Sequence, residues 1–121
     1  MINILCFGDS NTWGYDPETQ TRFSKKIRWT GVLQQLLGTN FNVIEEGLNG
    51  RTTNVDEKDE HDLGYFRPYR SAMDLLSIFI ETNSPLDLII VMLGTNDLKK
   101  NFNQSPEMIA ENMRLICESI I

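Results

Sequence analysis

Apolar residues gather in three short runs, Ile2 to Phe7, Phe41 to Ile44 and Leu88 to Leu93, each about the length of a β-strand. The third run lacks polar alternation and follows Pro85, the pattern of a parallel strand covered on both faces, which predicts a central place in a sheet. Between the runs the apolar positions take helical spacing. Val32, Leu33, Leu36 and Leu37 end at Gly38, a residue suited to a helix C-terminus. Ala72, Leu75, Leu76, Phe79 and Ile80 share one face before the Asn83-Ser84-Pro85 breaker. Ser105 offers an N-cap and Pro106 a first helical residue ahead of the stripe Ile109, Met113, Ile116 and Ile120. Strands alternating with helices predict parallel strands joined by right-handed crossovers, a three-layer α/β/α arrangement. A length of 121 residues suits one such domain, 1–121.

Each apolar run leads into a polar turn: Gly8-Asp9-Ser10-Asn11, Gly47-Leu48-Asn49-Gly50-Arg51-Thr52 and Gly94-Thr95-Asn96-Asp97. In a parallel sheet such turns lie at the carboxyl edge of the strands, where open α/β sheets place their ligands. They offer a hydroxyl on Ser10 at a strand-to-helix turn, backbone N–H groups near Ser10 and Gly50, and the side-chain amide of Asn96. Those are the parts of acyl transfer, a nucleophile and fixed donors where a tetrahedral oxyanion forms. Taken alone, Ser10 reads as a helix cap and Asn96-Asp97 as a turn pair. Their joint placement on one edge favours chemistry.

The segments FGDSNTWG (7–14), EEGLNGRTT (45–53) and MLGTND (92–97) resemble, in order and spacing, the first three sequence blocks of the SGNH (GDSL-like) hydrolase superfamily. The flanking IRWTGVL (27–33) and SPLDLIIVMLGTNDLK (84–99) resemble its arylesterase-like and acyltransferase-like branch. The resemblance implies a flavodoxin-like α/β fold and a serine ester hydrolase. It makes Ser10 the nucleophile, places the oxyanion hole at the Ser10 and Gly50 N–H groups and the Asn96 side chain, and gives Asp9 a supporting role in the turn. Asn11 stands where the family commonly has Leu, a change outside the chemistry. The family's fourth block, an Asp-x-x-His that supplies the base, has no counterpart after Asn96. That gap predicts an N-terminal portion of a longer domain, with C-terminal strands and helices missing. Trp13 and Trp29 are candidates for an acyl or aryl pocket, with core packing or a subunit interface as the alternatives.

Composition narrows the partners. A net charge of −6 opposes binding to phosphate backbones, so nucleic acid is excluded, and the Lys25, Lys26, Arg28 cluster reads as a solvated loop. No window carries the roughly 18 apolar residues a membrane helix requires, and the first residues run straight into the Ser10 turn without a leader pattern. Cys6 and Cys117 have no metal-ligand spacing and read as buried free thiols, which with the missing leader points to the cytoplasm. The expected reaction uses no cofactor and no metal, and its partner is a small-molecule ester; self-association through an open sheet edge is a further expectation.

The stretch 54–64, with its only histidine His61, reads as a solvated acidic loop. Two other functions compete. One is a catalytically silent α/β domain that binds a ligand or another chain, supported by the absent base. The other is a metal-dependent phosphoesterase using Asp9, Asn49, Asn96 and Asp97.

Overall fold

The computed structural model describes residues 1–56 and 67–121. His61 and most of the acidic stretch lie outside them. The chain packs as two compact units, Met1–Asn49 with Phe79–Met92, and Gly50–Ile78 with Leu93–Ile121.

The first unit holds a three-stranded parallel sheet in the order β4-β1-β5, formed by β1 (Ile2–Gly8), β4 (Phe41–Gly47) and β5 (Leu88–Met92). Between β1 and β4 come the short helix α1 (Ser10–Trp13), a two-stranded antiparallel ribbon of β2 (Tyr15–Asp16) and β3 (Thr21–Arg22), and α2 (Trp29–Leu37). Ile4, Leu5, Cys6 and Phe7 are buried, and the Phe7 ring meets Phe79 at 5.5 Å between centroids. The central strand is thus β1, which carries these four consecutive buried residues. This corrects the expectation for β5, which pairs only with β1 among the described residues and leaves Leu88 and Met92 exposed. An apolar run by itself does not specify a strand's lateral neighbours.

Register fixes the edge that matters. Gly8 pairs with Gly47 on one side and with Met92 on the other, so the carboxyl ends of all three strands are level. The α/β class with a parallel sheet is the one the alternation of strands and helices predicts.

Glycine at 47 lets α1 approach β4. A Cβ there would lie 2.2 Å from the Trp13 amide nitrogen and 2.6 Å from its Cα, both backbone atoms that cannot turn aside. Gly47→Ala is therefore expected to push α1 and destabilise the fold by about 1–3 kcal/mol, the usual cost of overpacking. A urea midpoint unchanged from the parent chain would show that α1 does not press on β4.

In the second unit, residues 51–53 lie beside the segment that opens α3 (Ala72–Asn83). Thr52 and Ser71 form a parallel bridge, Thr52 N–H donates to Arg70 O at 2.9 Å, and Ala72 N–H donates to Thr52 O at 3.0 Å. Asp56, the first carboxylate of the acidic stretch, is half-buried here and accepts from the Arg70 and Ser71 N–H groups at 2.6 and 2.9 Å. It braces the segment before α3, unlike the solvated loop expected. Two short 3₁₀ turns, Asn96–Leu98 and Lys100–Phe102, lead to α4 (Pro106–Ile120). The Ser105 hydroxyl caps α4 by accepting from Met108 N–H at 3.2 Å, and Ile116 is buried from its inner face. Cys6 is buried as expected, whereas Cys117 is exposed, because it sits one residue off that inner stripe. Among the described residues, no helix is long and apolar enough to cross a membrane.

Candidate active site

Ser10 is the first residue of α1, directly beyond the carboxyl end of β1. Its neighbour does the capping: the Asp9 carboxylate, 1% exposed, accepts from Asn11 N–H at 2.9 Å and from the Asn11 side-chain amide at 3.1 Å. Thr12 and Trp13 N–H both reach Asp9 O, at 3.1 and 2.9 Å, and Gly14 N–H closes the turn on Ser10 O at 2.9 Å. The first-turn N–H groups after Ser10 are all used, and those at a helix start have no intrahelical partner. That leaves the Ser10 N–H and hydroxyl outside the capping. Ser10 itself is half-exposed. The Asp9 carboxylate thus caps the turn, and Asn11 contributes more than expected by gripping Asp9 twice. The missed signal was the short polar side chain beside an Asp cap, which can hydrogen-bond locally.

Trp13 and Trp29 belong to the same unit. The Arg22 guanidinium lies over the Trp13 ring at 5.0 Å while its Nε donates to Trp13 O at 2.7 Å. Trp29 opens α2, and its buried indole N–H has no hydrogen-bond partner among the described residues. A groove of about 580 Å³ lined by Lys25, Lys26, Gly31, Gln34 and Gln35 includes neither tryptophan and carries no group for acyl transfer.

Arg28 does not belong to a solvated basic cluster. It forms a bidentate pair with Glu45 on β4, Nε to Oε1 at 2.7 Å and Nη2 to Oε2 at 2.9 Å, and also donates to Phe23 O at 3.1 Å. The buried Thr30 hydroxyl adds a bond to Glu45 Oε1 at 2.5 Å. The Arg28 hydrogen bonds, helped by Thr30, hold the Glu45 carboxyl at about 2, below its ordinary range. Beside it in register, burial and then the Glu45 charge push the Cys6 thiol up to about 11, so Cys6 stays protonated and inert.

The other candidate donors lie in the second unit, which brings Gly50 and Asn96 onto one short strip. Gly50 adopts φ +83°, and a Cβ on it would fall 2.6 Å from the Arg67 guanidinium. The left-handed conformation is what favours glycine here. One residue on, Arg51 O accepts from the Asn96 side-chain amide at 3.0 Å. An amide nitrogen carries two hydrogens, so this bond sets the direction of the second. Asp97, fully buried, accepts from Thr53 N–H at 3.0 and 3.2 Å and from the Thr53 hydroxyl at 2.5 Å. Sequence reasoning missed the Thr53–Asp97 pair, because nothing in the local pattern links positions 44 residues apart. The two carboxylates of the metal reading, Asp9 and Asp97, are each engaged by N–H and side-chain donors. Those bonds oppose a role as metal ligands.

The GDSL-like Lipase/Acylhydrolase family matches residues 6–121 of this chain. The chain belongs to that family. Among solved structures, this acylhydrolase-family chain is similar to the inhibitor-bound aryl esterase of M. smegmatis, with 43% identity and a TM-score of 0.85 over 96% of this chain and 53% of that one. It is also similar to a carbohydrate acetylesterase family member from Sinorhizobium meliloti, with 37% identity and a TM-score of 0.88 over 98% of this chain and 53% of the other. An SGNH-hydrolase family esterase matches at 25% identity and a TM-score of 0.71, over 98% and 52%. The chain spans about half the length of these solved chains. No curated protein sequence matches it.

Proposed function

We propose that this chain carries the nucleophile and the oxyanion donors of a carboxylic ester hydrolase for small acyl esters. Ser10 Oγ attacks the acyl carbon, its proton passes to a base, and the carbonyl oxygen becomes an oxyanion held by the Ser10 N–H, the Gly50 N–H and the second hydrogen of the Asn96 amide. Collapse expels the alcohol or phenol and leaves an acyl-enzyme on Ser10. Water releases the acid; an alcohol in its place receives the acyl group, so hydrolysis and transfer share one intermediate. The observation that carries the proposal is Ser10 opening a helix whose cap comes from Asp9, so that its hydroxyl and N–H are kept for chemistry, in a chain of the acylhydrolase family. The aryl esterase and carbohydrate acetylesterase among its neighbours make acetyl esters of phenols or sugars the first substrates to try.

No residue is assigned to the base. His61 is the only imidazole in the sequence. The second reading is a silent ligand-binding domain. Acid-quenched incubation with p-nitrophenyl acetate, followed by mass spectrometry, separates the two. An acetyl group on the peptide carrying Ser10 supports the esterase; p-nitrophenol release with no adduct on Ser10, or none at all, leaves the binding domain. Loss of turnover with a chelator would instead favour the metal reading.

A further inference from the structure

We propose that Asp97 is a positioning residue that locks the Asn96 and Gly50 donors to a single strip of backbone, an inference that rests on the esterase reading. Oxyanion donors contribute most when fixed before the charge develops, yet Asn96 sits at the start of a three-residue 3₁₀ turn. That turn is held by backbone bonds of only 3.3 Å (Leu98 N–H to Thr95 O) and 3.2 Å (Lys99 N–H to Asn96 O), and such geometry supports a turn weakly. The firm element is its neighbour, residues 51–53. On one side that strip is laddered to the start of α3 by Thr52 N–H to Arg70 O at 2.9 Å, Ala72 N–H to Thr52 O at 3.0 Å and Met73 N–H to Thr53 O at 2.9 Å.

On its other side the strip receives two consecutive residues. The Asn96 amide donates to Arg51 O, and the Asp97 carboxylate takes the N–H and hydroxyl of Thr53. A single bond at Arg51 would leave the Asn96 turn free to pivot about it; a second grip two residues along removes that rotation. Gly50 precedes the strip directly, so its N–H is carried by the same rigid piece. Among the described residues, the hydrogen bonds that Asp97 accepts come from Thr53, and Asp97 is 0% exposed. A buried carboxylate is costly unless donors compensate it, and here all the compensation is directed at the strip that carries the donors.

The test compares the chain with Asp97→Asn, Thr53→Val, Thr53→Ser and Ser10→Ala. It reads p-nitrophenyl acetate kinetics, thermal unfolding, and hydrogen exchange of the Asn96 side-chain amide by NMR. In Asp97→Asn the new amide faces the Thr53 donors, and kcat is expected to fall on the order of 100-fold, as for loss of an oxyanion donor, with KM little changed and faster Asn96 amide exchange. Thr53→Val should show a smaller loss of the same kind, and Thr53→Ser should restore the parent values. A folded Asp97→Asn chain with parent kcat and parent exchange overturns the proposal. If Asp97→Asn does not fold, Thr53→Val decides in the same two directions. Should the parent turn over ester no faster than Ser10→Ala, the esterase reading fails for this chain. Asn96 exchange then decides the positioning role alone: faster exchange in the variants upholds it, and unchanged exchange overturns it.

Discussion

Ser10→Ala is expected to lower kcat/KM for p-nitrophenyl acetate by about 10³-fold or more while leaving the fold intact, since loss of the nucleophile removes the covalent route and leaves only binding and oxyanion stabilisation. The fold is expected to survive because the Ser10 side chain does no capping. Asp9 supplies that cap, and Asn11, Thr12 and Trp13 make the turn's bonds without the Ser10 hydroxyl. Alanine at a half-exposed first helical position whose side chain makes no cap changes stability by only a few tenths of a kcal/mol. A large kinetic effect with an unmoved unfolding midpoint therefore locates the loss in chemistry. Equal rates for the two proteins would remove Ser10 from the reaction, whatever the family does elsewhere.

Much of this arrangement was legible from hydrophobic spacing. The three strand runs and the three longer helices occur where the pattern puts them, because the period of apolar positions is displayed directly in the sequence. What escaped detection was held by polar groups. The second strand was expected to stop at Ile44, where the apolar residues end, yet it continues through Glu45 and Glu46 to Gly47. A glutamate is tolerated there because Arg28, 17 residues earlier, meets it with two hydrogen bonds. The β2–β3 ribbon has two residues per strand, too few to show alternation. For the site, Ser10, Gly50 and Asn96 stood out through their motifs, whereas Thr53 and Asn11 did not, because their contribution is to hold Asp97 and Asp9. Burial of those two carboxylates is a tertiary outcome with no periodic signature.

The Arg28–Glu45 pair sets the second large expectation. Glu45→Gln should destabilise the fold by about 3 kcal/mol, the lower end of the cost of leaving one partner of a buried pair uncompensated, because this pair is part-buried. That is a large share of the 5–15 kcal/mol that holds a typical domain together. The side chains are 12% and 18% exposed, so water screens the pair only in part. Glutamine preserves shape, but its NH₂ replaces an acceptor that now takes Arg28 Nη2, setting donor against donor, and the neutral group no longer balances the guanidinium. Acid should have the same effect on the parent. The Glu45 carboxyl is held at about 2, below its ordinary value of 4.5. Its contribution is thus fully present above about pH 4.5 and is lost as the pH falls toward 2, because protons then bind the unfolded chain more readily than the folded one. Urea unfolding measured from pH 6 down to pH 3 should show parent stability falling through this window, and a Glu45→Gln chain that starts lower and loses less. Parallel curves for the two proteins would mean that the pair contributes nothing to folding and that the extension of β4 beyond Ile44 has another cause.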